Sequence, residues 1–236
     1  MSWGYHEYVP VGKKKAFAQK KLDKLRKKDP DISPIVIEGK KIATTFWGAA
    51  WNRNLESYAD YTNRIKRGSA YVKNGFVVDL RIKEGLVLAL VQGSHLYEVK
   101  ITIDELPAGK WKKILEQCGH SIANMAELAE GKFPKDLAEI FLQQNSGLFP
   151  SPKEIHFDCD CPDWAYMCKH VAAVLYGVGA RFDREALLFF TLRGIPFEDL
   201  LKKSIEGKLA NMLKNAGNKS KRVLGDDSIA DIFNLR

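Results

Sequence analysis

HFDCDCPDWAYMCKHVAAVLYGVGARFD, residues 156–183, sets a Cys-x-Cys pair six residues ahead of a Cys-x-His pair. In an extended strand, residues two apart point to the same face, so Cys159 and Cys161 can chelate one ion while Asp160 faces away and Pro162 ends the strand. A hairpin then returns the chain. Cys168 and His170 cannot both reach that ion from inside a regular helix, because a two-residue step turns the side chain by about 200°. The helix must therefore begin around them, with the apolar run Val171 to Val178 buried. Three thiolates and one neutral imidazole complete a tetrahedron around Zn²⁺ with net charge −1, which suits a helix N-terminus. A closed set of four leaves no position for a reacting water, so one structural zinc ion is expected rather than a catalytic one. The competing readings are thiols buried by chance, an iron–sulfur cluster and a Cys-His nucleophile pair.

Working outward, the other cysteine, Cys118, lies far from the cluster and reads as a free thiol. His156 is the one substitute ligand within reach in sequence, although strand alternation turns it away from Cys159. Upstream, residues 69–103 read as a four-stranded antiparallel meander punctuated by Asn74-Gly75 and Glu84-Gly85. Val78, Leu80 and Ile82 share one face there, and Val99, Ile101 and Ile103 share another. Phe46, Trp47, Trp51, Leu55, Tyr58 and Ile65 recur at helical spacing in a segment that Gly68 closes. Trp47 and Trp51 read as core anchors, with stacking on nucleobases as the minor alternative. Three short helices, Lys110 to Cys118, Ile122 to Glu130 and Pro134 to Gln144, are placed over the sheet.

The fold class is therefore α+β: a four-stranded antiparallel meander with covering helices, then a small ββα zinc-binding module and C-terminal helices. The domains run 1–43 (basic arm with a helix near Lys14 to Lys27), 44–150 (the α+β unit), 151–182 (the zinc module), 183–214 (helices) and 215–236 (basic linker and amphipathic tail). In the arm, Ala16, Phe17, Lys20, Leu22 and Leu25 make only a partial apolar stripe, so that helix is expected to need a partner surface.

The chain of 236 residues carries 37 Lys and Arg against 29 Asp and Glu. Residues 1–41 hold eleven of those cations against five acids, a net +6 that accounts for most of the overall +8. Such a concentration favours polyanionic partners. No apolar run approaches the roughly 18 residues of a membrane span and no signal-peptide core is present, so a cytoplasmic location is expected. Neither a nucleophile-base-acid set nor a phosphate-binding glycine loop appears, so no enzymatic activity and no small-molecule substrate are expected.

CDCPDWAYMCKHVAAVLYGVGARFD resembles a SWIM zinc finger, and WGAAWNRNLE, RIKRGSAYVKNGFVVDLRI and LVQGSHLYEVKI are similar to bacterial SWIM proteins associated with Swi/Snf-type helicase-like ATPases. The resemblance implies a zinc-bound ββα module for DNA or protein contacts, with Cys159, Cys161, Cys168 and His170 as ligands and no catalysis. It assigns no role to Trp164 or Lys169. Asp158, Asp160 and Asp163 make the finger itself acidic, so phosphate contact falls to the cations elsewhere: Lys13, Lys14, Lys15, Lys20, Lys21, Arg64, Lys66 and Arg67. Two functions follow as expectations. One is a nucleic-acid-binding accessory, with DNA the expected ligand, of a helicase-like ATPase. The other is an adaptor that docks on such an ATPase, partly through the capping-box tail at Ser228 and Asp231.

Overall fold

The computed structural model describes residues 9–57, 62–118, 135–143, 146–163 and 165–199, with isolated residues from 202 to 213. In chain order the elements are α1 (Val11–Arg26), α2 (Phe46–Glu56), α3 (Thr62–Lys73), β1 (Val77–Lys83), β2 (Leu86–Gln92), β3 (Leu96–Ile103), α4 (Ala108–Cys118), α5 (Lys135–Leu142), β4 (Ile155–Cys159), α6 (Lys169–Arg184) and α7 (Leu188–Leu192). The architecture is α+β, with one four-stranded antiparallel sheet in the order β1-β2-β3-β4. No helix among the described residues is long and apolar enough to cross a membrane. The expected helix at Ile122 to Glu130 and the tail beyond residue 214 lie outside the described residues.

Strand β3 follows the alternation of its sequence, β2 buries alternate residues of a run that is apolar on both faces, and Gly85, at φ +60°, makes the tight turn between β1 and β2. The first strand of the expected meander is helix instead. Tyr71 and Val72 look strand-like, but α3 runs through Gly68 to Lys73 because that glycine lies against α6. The fourth strand comes from far downstream: β4 pairs with β3, Cys159 opposite Val99 and Ile155 opposite Ile103. Residues 160–163 and 165–168 carry no strand, so the finger's first strand is an edge of the main sheet and not half of a private hairpin. One continuous cluster of buried side chains runs from Ile35 to Ile195 and includes Cys168.

Helix α6 is the axis of that cluster. It lies on one face of the sheet, and nearly every residue from His170 to Phe182 is buried. Trp47 and Trp51 are both 0% exposed, so neither can stack on a base. Trp47 stacks on Phe189 at 4.9 Å, and Trp51 Nε1 donates to the Leu175 carbonyl at 2.8 Å. The Asp183 carboxylate, near the end of α6, accepts from the backbone and hydroxyl of Thr44 and Thr45 and so fixes the N-cap of α2.

Glycines let α2 and α3 cross α6 closely. A Cβ on Gly68 would lie 2.5 Å from Ala172 Cβ and 2.6 Å from its carbonyl carbon. Gly68→Val is expected to destabilise by about 1–3 kcal/mol through overpacking, read as a lower thermal midpoint. Valine is the sharper probe, because alanine regains up to about 1 kcal/mol of helix propensity. A Gly68→Val protein that melts with the wild type would mean this crossing is loose.

On the other face, α1 packs through Ala18 and Leu22, both buried, with Ala18 against Phe76 and Val78. The arm's helix is therefore docked on its own sheet rather than waiting for a partner. Asp79, 5% exposed, accepts from the Ser33 amide at 2.8 Å and from Arg81 Nε at 2.9 Å. Arg81 also pairs with Asp29, which joins the end of the arm to β1.

Candidate metal centre

Three pieces of backbone meet at one corner of the sheet. β4 delivers Cys159 at its last residue, the turn after it delivers Cys161, and the start of α6 delivers Cys168 and His170. Cys168 is the N-cap of α6 in extended conformation, and its sulfur accepts from the Val171 amide at 3.4 Å. His170 is in the first turn. The helix begins where the ligand spacing requires it to begin, then continues to Arg184, past the expected Val178.

The four ligand atoms all lie within 4.8 Å of one another. Tetrahedral zinc, with Zn–S about 2.3 Å and Zn–N about 2.0–2.1 Å, requires separations of about 3.6–3.8 Å. Cys159 Sγ and His170 Nδ1 stand 4.0 Å apart, close to that value. Three sulfurs and one imidazole in this arrangement fit zinc and leave no open position. Cys168 and His170 are buried, whereas Cys159 and Cys161 are partly exposed.

The electrostatics favour thiolate at the helix end. The Cys159 thiol, with the His170 ring and the Val171 amide, holds Cys168 down at about 3 against the opposing effect of burial. The same contact with Cys168, together with burial, pushes Cys159 up. Burial is also what raises Cys161. One anionic sulfur at a helix N-terminus is a ready first ligand for a cation.

Residues outside the motif build the wall around His170, and no local pattern announces them. Tyr97 of β3 stacks on the imidazole at 4.4 Å with 26° between the planes, and Tyr71 of α3 meets it edge-on at 5.5 Å. His170 Nε2 has no hydrogen-bond partner among the described residues and faces Gly93, where a Cβ would sit 2.9 Å away. The ring is thereby held with Nδ1 toward the sulfurs. His156 is exposed, with Nε2 3.3 Å from Asp104, and takes no part.

The cations expected to meet phosphate fall into two groups. Arg64 is committed to the finger: its guanidinium holds both oxygens of Asp163, at 2.8 and 3.2 Å, and clamps α3 to the loop between the ligand pairs. The Asp163 carbonyl in turn faces Cys161 Sγ at 3.9 Å. Lys66 and Arg67 are exposed on α3. Lys13, Lys15 and Lys20 are exposed on α1, while Lys14 and Lys21 are partly exposed. No ion pair involves any of these five lysines among the described residues. Lys169 Nζ lies 6.0 Å from the centre of the Tyr71 ring, and the Trp164 side chain is outside the described residues.

The family model for the SWIM zinc finger matches residues 157–178, which hold all four ligands. The chain is also 35% identical over 163 residues to Uncharacterized protein Rv2102 of Mycobacterium tuberculosis (strain ATCC 25618 / H37Rv). That alignment covers 68% of this chain and 58% of the relative, so the match spans less than two thirds of the relative's length. No solved structure matches the chain. With the matched segment, the donor set and the convergence of the four side chains in agreement, this chain carries a SWIM zinc finger that holds one structural zinc ion.

Proposed function

We propose that this protein is a non-catalytic, nucleic-acid-binding accessory that works alongside a helicase-like ATPase, with the zinc finger as its structural keystone and α1 as its phosphate-binding surface. A SWIM finger is a zinc-binding module for nucleic-acid or protein interaction, and here the finger's own acids argue against direct phosphate contact. The observation that carries the reading is the charge of α1 and its C-terminal extension. Residues 13–28 hold nine Lys or Arg and one acid. The helix is anchored to the sheet by its opposite face. A row of lysines that make no ion pair among the described residues displaces ions from a polyanion at little cost in ordering. The ATPase association rests on the resemblance of residues 42–200 to SWIM proteins of that group.

The test is the salt dependence of binding by the full chain, measured by fluorescence anisotropy. Each phosphate contact contributes about 0.7–0.9 to the slope of log K against log salt. Replacing Lys13, Lys20, Lys24 and Lys27 together by Gln is expected to flatten that slope by about 3. Absence of binding at low salt, or a slope that ignores the four changes, would overturn the reading.

A second reading is favoured by a separate observation. Ile205, Leu209, Met212 and Leu213 are 56–71% exposed and recur at helical spacing, as a docking segment for a protein partner would. In that adaptor reading the ATPase contacts nucleic acid and this chain does not. Capture of such an ATPase that is lost on changing Leu209 and Leu213 to Ser, with no nucleic-acid affinity in the chain alone, would select it.

A further inference from the structure

We infer that the ligand of α1 is single-stranded nucleic acid, with one base stacked on Phe17. This rests on the nucleic-acid reading above and deepens it by naming the form of the polymer.

The sequence pattern placed Phe17 with Leu22 and Leu25 in a partial apolar stripe. The structure separates them. Ala18 and Leu22 are buried against the sheet, while Phe17 is 53% exposed. At about 100° per residue, Lys13, Phe17, Lys20 and Lys24 fall within an arc of about 60° on the side of α1 away from Ala18 and Leu22, and Lys27 and Lys28 follow at its C-terminal end. The three lysines of that arc, and Lys27 and Lys28 beyond it, are all exposed. Lys13 and Lys27 are about 21 Å apart along the axis, with Phe17 in the first half of the row. No aromatic ring packs against Phe17 among the described residues.

A solvated phenyl ring inside a lysine row presents an apolar face beside a set of cations, so the question is which polyanion makes use of both. Duplex nucleic acid presents phosphates outward and keeps its base faces stacked inside, so it offers such a ring nothing to cover. A helix laid in the major groove would read base edges with Arg, Asn or Gln, and this arc holds only lysines and Phe17. A single strand offers both parts at once: phosphates for the lysines and an open base face for the ring. Trp47 and Trp51 are sealed in the core, so among the described residues Phe17 is the ring on the basic surface positioned for that contact.

The experiment compares anisotropy of the full chain on labelled oligo-dT, on oligo-U and on the duplex of oligo-dT with oligo-dA, for wild type, Phe17→Ala and Phe17→Trp. Phe17→Ala is expected to weaken single-strand binding about 5- to 150-fold, to leave duplex binding unchanged, and to be rescued by Phe17→Trp. The half-exposed ring can be removed without unfolding the chain, which an unchanged thermal melt verifies. Oligo-U beside oligo-dT separates RNA from DNA as the source of the strand, and the proposal stands on either. Equal effects of Phe17→Ala on single strand and duplex, or none on either, overturn it. If Phe17→Ala is silent while the lysine changes still flatten the salt slope, only this inference fails. If the chain binds no nucleic acid, both readings fail and α1 meets a protein.

Discussion

Removing zinc is expected to unfold the sheet and its helices as one body, not merely the segment that carries the ligands. The sequence alone suggested a small unit that collapses by itself. In the structure Cys159 ends an edge strand of the main sheet, and Cys168 caps the helix around which the core is built. Structural zinc contributes about 10–16 kcal/mol to folding, as much as the whole net stability of a typical domain, about 5–15 kcal/mol. Without the ion, several thiols near one another are left partly desolvated, and the N-terminal turn of α6 loses its tether. Chelation under reducing conditions should therefore abolish the cooperative thermal transition followed by circular dichroism, and Cys168→Ser should reproduce the effect. Zinc-free protein that melts at the holo temperature with its protease resistance intact would defeat this account.

The second large effect is expected at an ion pair unconnected with the metal. Arg193 is 0% exposed, and its Nη2 donates to Glu154 Oε1 at 2.7 Å while Nη1 donates to the Asp104 carbonyl. The other oxygen of Glu154 accepts from the Ser151 amide and hydroxyl at 2.8 and 2.7 Å. The group ties the entry to β4, the end of β3 and the turn after α7 together. Glu154→Ala strands a buried guanidinium and is expected to cost about 3–5 kcal/mol in urea unfolding at neutral pH. Burial alone would raise the Glu154 carboxyl, but Arg193 and Ser151 outweigh it and hold it below its ordinary 4.5. A carboxyl lowered in the folded state stabilises fully above about 4.5 and loses that contribution as the pH falls through the lowered value. The gap between wild type and Glu154→Ala should narrow on acidification. The gap is read at pH values where both proteins still hold zinc, so that metal content is the same on each side of the comparison. A gap that is small at neutral pH, or constant into the acid range, would show that the pair does not hold this corner.

Much of the metal centre was legible because ligand spacing is a local constraint: strand alternation and the 100° helical step dictate where α6 has to start. Strand β3 was legible for the same reason, since alternating burial is written into consecutive residues. What could not be read depends on distant segments. Ser69 to Lys73 has strand-like residues next to Asn74-Gly75, yet it is helix because Gly68 fits against Ala172, about a hundred residues away. β4 is five residues long, with His156 and Asp158 on its exposed side, and it becomes a strand only because β3 offers an edge. Arg64 reads as a loose cation in RIKRG until Asp163 is placed opposite it. The cage of Tyr71, Tyr97 and Gly93 around His170 has no signature in its own neighbourhood.

Because the strand bearing Cys159 joins an edge made more than fifty residues earlier, the order of assembly is constrained. Closing so long a loop is an entropic barrier that metal cannot lower until both sides of the site exist, and long-range antiparallel pairing is slow. During synthesis, β1 to β3 emerge and can form a hairpin array well before any thiol of the cluster leaves the ribosome. Zinc therefore joins late, once β4 and the start of α6 have both emerged, and completes the fold rather than seeding it. Until it arrives, β3 waits with an open edge, which makes metal supply a determinant of how much nascent chain is diverted into aggregates.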